Sequence, residues 1–187
     1  MVGMGRSPGR LGVIAVTSVD PVLSLISALA LGQTAGSALV VDLCRDLSLR
    51  TTRTLSDLLV EGPSLAELSP GRSGVALIGS GPITVEDSQP VIEALAENWP
   101  AIVVRCHPGQ WPGRSVPVRP LFPGFLEPVG QSPAVWQPVG SGARPPGPGP
   151  VLPRVRSALV RRMLSGRAAG RSRWVRAWEP IWGMPWA

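Results

Sequence analysis

Lysine is missing from this chain of 187 residues, and all 18 basic side chains are arginine. Tyrosine is missing too, while asparagine and histidine occur once each, as Asn98 and His107. With arginine, glycine, proline and alanine plentiful, this is partly the signature of GC-rich coding. Coding bias seldom erases a catalytic lysine, however. The gap therefore excludes the ordinary phosphate-binding loop, which places a lysine ammonium on the terminal phosphates. Cysteine is also scarce: Cys44 and Cys106 are too few for a disulfide framework and fit no zinc spacing. A reducing cytoplasm is the expected setting. Acidic residues almost vanish after residue 143. Residues 1–143 hold nine Arg against eleven Asp and Glu, a net charge of −2, whereas 144–187 hold nine Arg against Glu179 alone, a net of +8. A near-neutral domain with a basic tail seeks anionic partners.

What is present is an apolar core and heavy punctuation. Hydrophobic residues make up 44% of the chain, enough for one domain, with 22 Gly and 22 Pro. The longest apolar run, Leu11–Gly32, follows Arg6 and Arg10 and has the outline of an export or anchor segment. Asp20-Pro21 interrupts it. A central aspartate costs about 2.5–3.5 kcal/mol for membrane insertion, and the same pair starts a helix well. A strand followed by a helix is the expected outcome.

The rest of the chain continues that alternation. Leu11–Thr17 reads as a buried strand, and a helix capped by Asp20 runs to Gly32. Ala38–Asp42, Val75–Ile78 and Ala101–Val104 read as further strands. Thr54–Val60, Ser64–Leu68 and Val85–Asn98 read as helices. Val116–Val118 and Ala134–Trp136 carry prolines nearby, which predicts edge strands or extended chain. The expected fold is a three-layer α/β domain over residues 11–139 with a mainly parallel sheet, after a flexible segment 1–10. Residues 140–153, with Arg-Pro-Pro-Gly-Pro-Gly-Pro, read as a stiff linker, and 154–187 as a basic helix and a tryptophan-rich arm.

The ordered set of Gly12–Ser18, Leu23–Leu31, Ala38–Asp42 and Thr54–Leu59 with Ser64–Glu67 resembles the ParA/MinD-like P-loop ATPases. The likeness is strongest to relatives associated with pilus assembly and septum placement, and it covers about residues 11–125. It implies a P-loop-like domain acting in a pilus-assembly, secretion or cell-division apparatus at the inner membrane face. The departures matter more. Where the family has a glycine-rich loop with two lysines, only Val19, Asp20, Pro21 and Val22 stand between Ser18 and Leu23. Cys44 stands where the family tends to place a water-positioning acid, and Arg105 where it has a magnesium-associated aspartate. The resemblance therefore implies a pseudo-ATPase, with no catalytic residue, cofactor, metal or small-molecule substrate assigned.

Other candidates have plainer readings beside them. Cys44, Cys106 and His107 can be read as an activated thiol enzyme, a redox pair or a partial metal site. They can equally be two half-buried cysteines and a loop histidine, and no partner acid is identifiable. Gly79–Gly81 can approach a phosphate or simply end a strand. Asp42, Asp46 and Asp57 can share a cation or serve as strand-end and cap residues.

The arm holds the strongest interaction candidates: Arg154, Arg156, Arg161, Arg162, Arg173, Trp174, Arg176, Trp178, Trp182 and Trp186. The tryptophans recur every four residues, which puts neighbouring rings on one helical face, although Pro180 and Pro185 break a continuous helix. Four occupants fit such a face: the chain's own domain, a protein partner, an anionic membrane surface or, less favoured, nucleic acid.

Overall fold

Short apolar, β-branched runs bounded by glycine and proline form the strands: β1 (Gly12–Thr17), β2 (Ser37–Asp42), β3 (Gly74–Gly79), β4 (Ala101–Cys106), β5 (Ser115–Leu121) and β6 (Val135–Pro138). The computed structural model describes residues 11–47, 51–64, 74–124, 132–170 and 172–186. The expected flexible segment 1–10, residues 65–68 of one expected helix and Arg171 lie outside them. All strand pairings are parallel, in the order β3-β2-β4-β1-β5-β6. The intervening helices are α1 (Pro21–Thr34), α2 (Leu55–Glu61), α3 (Val85–Ala96), α4 (Ser157–Leu164) and α5 (Arg173–Arg176), with a 3-10 turn at Glu179–Gly183. The fold is a three-layer α/β arrangement.

Alternation along each strand sends successive side chains to opposite faces of the sheet. Ile14, Val16, Ala38, Val40, Ala101 and Val103 meet α1 and the C-terminal arm on one face. Ala15, Leu39, Val41, Ile102 and Val104 meet α2 and α3 on the other. Leu11–Gly32 is thus β1 and the body of α1. Among the described residues no helix is long and apolar enough to cross a membrane.

Local chemistry explains most element starts. Asp20 caps α1 by accepting from the Leu23 N–H at 2.8 Å, and Pro21 follows at a position that needs no N–H. Thr54 caps α2 in a reciprocal box: its backbone N–H donates to Asp57 at 2.7 Å while the Asp57 N–H donates back to its hydroxyl. These hydrogen bonds hold the Asp57 carboxyl below its ordinary value of 3.8. Because the folded value is depressed, the cap stabilises above the ordinary value and fades as pH falls through the folded one. Asp57→Asn should therefore lower the urea midpoint at neutral pH and match the parent at strongly acid pH. An equal loss at both would show that charge is not what the cap uses.

Three expectations need correcting. Gly32 does not end α1, which runs to Thr34. A side chain at Gly32 would meet Val40 Cγ2 at 3.0 Å, so this glycine permits close helix–sheet approach. The amphipathic helix from Val85 ends at Ala96 rather than Asn98, within ordinary end fraying. Nor is β5 an edge strand, since it lies between β1 and β6. Its prolines are accommodated by a change of partner: Ser115–Pro117 pair with β1, and Val118–Leu121 with β6. Each half is paired on one side only, so Pro117 and Pro120 fit inside the sheet.

The end of the proline-glycine stretch lies along the sheet. The Ala134 and Trp136 N–H groups donate to the Pro148 and Pro150 carbonyls at 3.1 and 2.9 Å, and the Leu152 N–H returns to the Trp136 carbonyl at 2.9 Å. Proline offers a carbonyl and no N–H, so such a segment covers an open sheet edge without presenting a new one.

Candidate functional site

Ligands of open α/β sheets collect outside the carboxyl ends of the strands. Here that edge brings together the start of α1, the end of β2 and the end of β4, where Asp42 stands opposite Arg105. Arg105 is fully buried at the end of an otherwise apolar strand. Each of its five N–H groups has an acceptor. Nε donates to Ser24 Oγ at 2.8 Å. Nη1 donates to both Asp42 oxygens at 3.0 and 3.1 Å. Nη2 donates to the Pro21 carbonyl at 3.0 Å and to Asp46 Oδ1 at 2.6 Å. A buried charge survives only when paired and hydrogen-bonded, and this guanidinium is saturated. Lysine has three donors and no planar fork, so it could not serve all these acceptors.

Helix N-termini attract anions through their free N–H groups. At α1 that attraction is already met by the Asp20 carboxylate, itself reached by no incoming lysine or glycine loop. The chain therefore supplies its own anion at the helix end and its own cation between β2 and β4. Burial pushes the Asp42 carboxyl above its ordinary value, against the pull of Arg105 and the Cys44 N–H.

The sequence candidates fall into three groups. Asp42, Asp46 and Asp57 do not converge: the first two face Arg105, and Asp57 caps α2. Gly79–Gly81 lines a small cavity of about 340 Å³ with Asp42, Cys44, Thr51 and Thr54. Gly81, at φ +66°, lets the Thr54 and Ser56 side chains come close, since a Cβ there would meet Ser56 Oγ at 2.0 Å. Its role is packing at the start of α2. A larger cavity of about 710 Å³ lies at the amino ends of β2 and β3, beside Gly36 and Gly74, with Arg167 the only titratable lining residue among the described residues. The chemistry sits at the smaller one.

Cys44 and Cys106 are both buried free thiols, and His107 is exposed. Burial pushes the Cys44 thiol up to about 11 despite nearby Arg105, and the Cys106 thiol up to about 12. Thiols held protonated at neutral pH make poor nucleophiles. Asp46, grouped from sequence with Asp42 and Asp57, instead stands with Cys44 and His107. Its carboxylate oxygen, Cys44 Sγ and an imidazole nitrogen of His107 all lie within 4.8 Å of one another. Only the adjacency of β2 and β4 brings these two loops together, and no pattern within either loop signals it.

Of the occupants open to the tryptophan face, the structure shows the chain's own domain. Trp174, Trp178, Trp182 and Trp186 are buried against α1 and the sheet, at 2, 0, 8 and 8% exposure, so they are closed to a partner. Trp182 Nε1 donates to Thr34 Oγ1 at 3.0 Å, Trp174 Nε1 to Gln137 Oε1 at 2.6 Å, and Trp186 Nε1 to the Ile181 carbonyl at 2.8 Å. Trp174 and Trp178 pack edge to face at 5.7 Å. Arg114 ties the arm down by donating to the Trp182 and Met184 carbonyls.

The arginines point the other way. Arg154, Arg156, Arg161, Arg162, Arg173 and Arg176 are exposed, as is Arg167, and none makes an ion pair among the described residues. Against known proteins, no family model matches the chain, and no curated protein matches it either.

Proposed function

We propose that this protein is a non-catalytic scaffold: a pseudo-ATPase-like domain that binds another protein through the arginine face of its C-terminal arm. The single observation that carries the first half is the saturated Arg105, with Asp20 over the α1 terminus. The exposed Asp20 carboxylate already occupies the α1 terminus, and the buried Arg105 already fills the space between β2 and β4. Exchanging them for a triphosphate would strand Asp42 buried without a partner. The resemblance to ParA/MinD-like ATPases supports an accessory role in pilus assembly, secretion or septum placement, near the inner membrane face.

The test is equilibrium binding of a fluorescent ATP analogue, with and without magnesium, alongside phosphate release. No saturable binding tighter than about 1 mM is expected, and no release above buffer. Saturable, magnesium-dependent binding that unlabelled ATP displaces would overturn the reading.

A second reading, that of a charge-driven binder of acidic lipid or nucleic acid, rests on the exposed arginines alone, which pair with no acid among the described residues. With the indoles buried, every contact through this face depends on charge, and phosphate-dominated binding falls steeply with salt. Acidic-lipid vesicles or oligonucleotides that capture the protein at low salt and release it steeply as salt rises would support this second reading, whereas no capture even at low salt would favour a protein partner.

A further inference from the structure

We propose that Cys44, Asp46 and His107 form a binding site for a divalent transition metal, with zinc the best match to the donor set. The site shares Arg105 with the α1 terminus, since Nη2 donates to both the Pro21 carbonyl and Asp46 Oδ1, but its three donors come from the loops after β2 and β4. Cys44 and Asp46 follow β2, and His107 follows β4, its neighbour in the sheet. The thiol sulfur, a carboxylate oxygen and an imidazole nitrogen lie within 4.8 Å of one another, a separation that small rotamer shifts close around one ion. Sulfur, nitrogen and oxygen donors together suit zinc or cobalt rather than magnesium or calcium. Three protein ligands leave a fourth position for water or a further donor.

The surroundings are arranged for it. Arg105 holds Asp46 Oδ1 at 2.6 Å, which orients the carboxylate and leaves Oδ2 without a hydrogen bond among the described residues. The Cys44 N–H donates to Asp42 Oδ1 at 3.1 Å, fixing the backbone that carries the thiol. The His107 N–H donates to Gln110 Oε1 at 3.2 Å, and the Gln110 N–H returns to the His107 carbonyl at 3.2 Å, so the loop is pinned while its imidazole is unpartnered among the described residues. Charge also balances. Arg105 is already matched by Asp42, so the Asp46 carboxylate and a Cys44 thiolate are left to neutralise a divalent ion, with the thiol proton released to solvent on binding. The nearby cation Arg45 is turned away, donating to the Gly81 and Ile83 carbonyls at 3.1 and 3.2 Å.

Cobalt(II) is the probe, added to the reduced, metal-free full-length protein. One equivalent should produce a thiolate-to-cobalt charge-transfer band and tetrahedral ligand-field bands, all displaced by zinc. His107→Ala, at an exposed position that the fold does not need, should weaken binding at least about tenfold, since even outer-shell changes cost that much. Cys44→Ser should abolish the charge-transfer band, and Cys106→Ser should keep it. If Cys44→Ser fails to fold, His107→Ala and Asp46→Asn decide the matter. Absence of the band at saturating cobalt, parent-like affinity in His107→Ala, or a band that follows Cys106 would each overturn the proposal.

Discussion

Arg105→Leu should destabilise the protein by about 3–5 kcal/mol, the usual cost of removing one member of a buried pair. The expectation rests on the asymmetry between its two carboxylates. Asp42 is buried and takes two hydrogen bonds from Nη1; without them it keeps only the Cys44 N–H. Asp46 has a side chain 31% exposed, so water can replace what it loses. Asp46→Ala should accordingly cost less than about 1 kcal/mol. Asp42→Asn combined with Arg105→Leu should recover part of the single-variant loss, because no uncompensated charge remains. The coupling in that double-mutant cycle should be about 1–3 kcal/mol. Arg105→Lys should fall between the parent and the leucine variant, since it keeps the charge but not the fork. Urea denaturation of these variants measures all four values. An Arg105→Leu midpoint equal to that of the parent would mean that the buried pair is dispensable, and with it the argument that the site is filled by the chain itself.

The order of strands and helices was legible because the elements are short and well punctuated. Runs such as Ala101–Val104 admit only a buried strand, and Asp20-Pro21 and Thr54 mark helix starts by their chemistry. Partnership was not legible. Gly32 looks like a terminator in sequence, because its contact with Val40 is made across the sheet. The proline-glycine stretch declares an extended chain without saying whether that chain leaves the domain or lies along β6. At the site, Arg105 stood out as a charge at the end of an apolar strand. Its saturation needed acceptors from α1, β2 and the following loop, and Asp46 joined His107 only through strand adjacency. The tryptophan period announced a common apolar face. Period alone cannot tell whether that face meets the same chain or another.

Removing the arm, by ending the chain at Gly140, should abolish cooperative folding altogether. Ten consecutive residues of α1, Leu23–Gly32, are buried. A helix buried all round needs cover on both sides: the sheet lies beneath α1, while Met163, Trp174, Val175, Trp178, Ile181 and Trp182 pack against it from the arm. An indole side chain buries about 150–250 Å², worth roughly 4–6 kcal/mol at about 25 cal/mol/Å². Four such rings exceed the whole net stability of a typical domain, about 5–15 kcal/mol. Trp178→Ala alone should cost about 3–5 kcal/mol. The truncated chain should bind a hydrophobic dye, lack near-ultraviolet dichroism and show no denaturation transition. A soluble, cooperatively unfolding 1–140 fragment would instead make the arm an appendage. Because truncation removes the fold as well as the arginines, only Arg→Glu changes at exposed positions such as Arg161, Arg162 and Arg173 can separate binding from folding. Those side chains touch no acid within the described structure, so reversing them should leave the denaturation midpoint nearly unchanged while eliminating capture by an acidic partner.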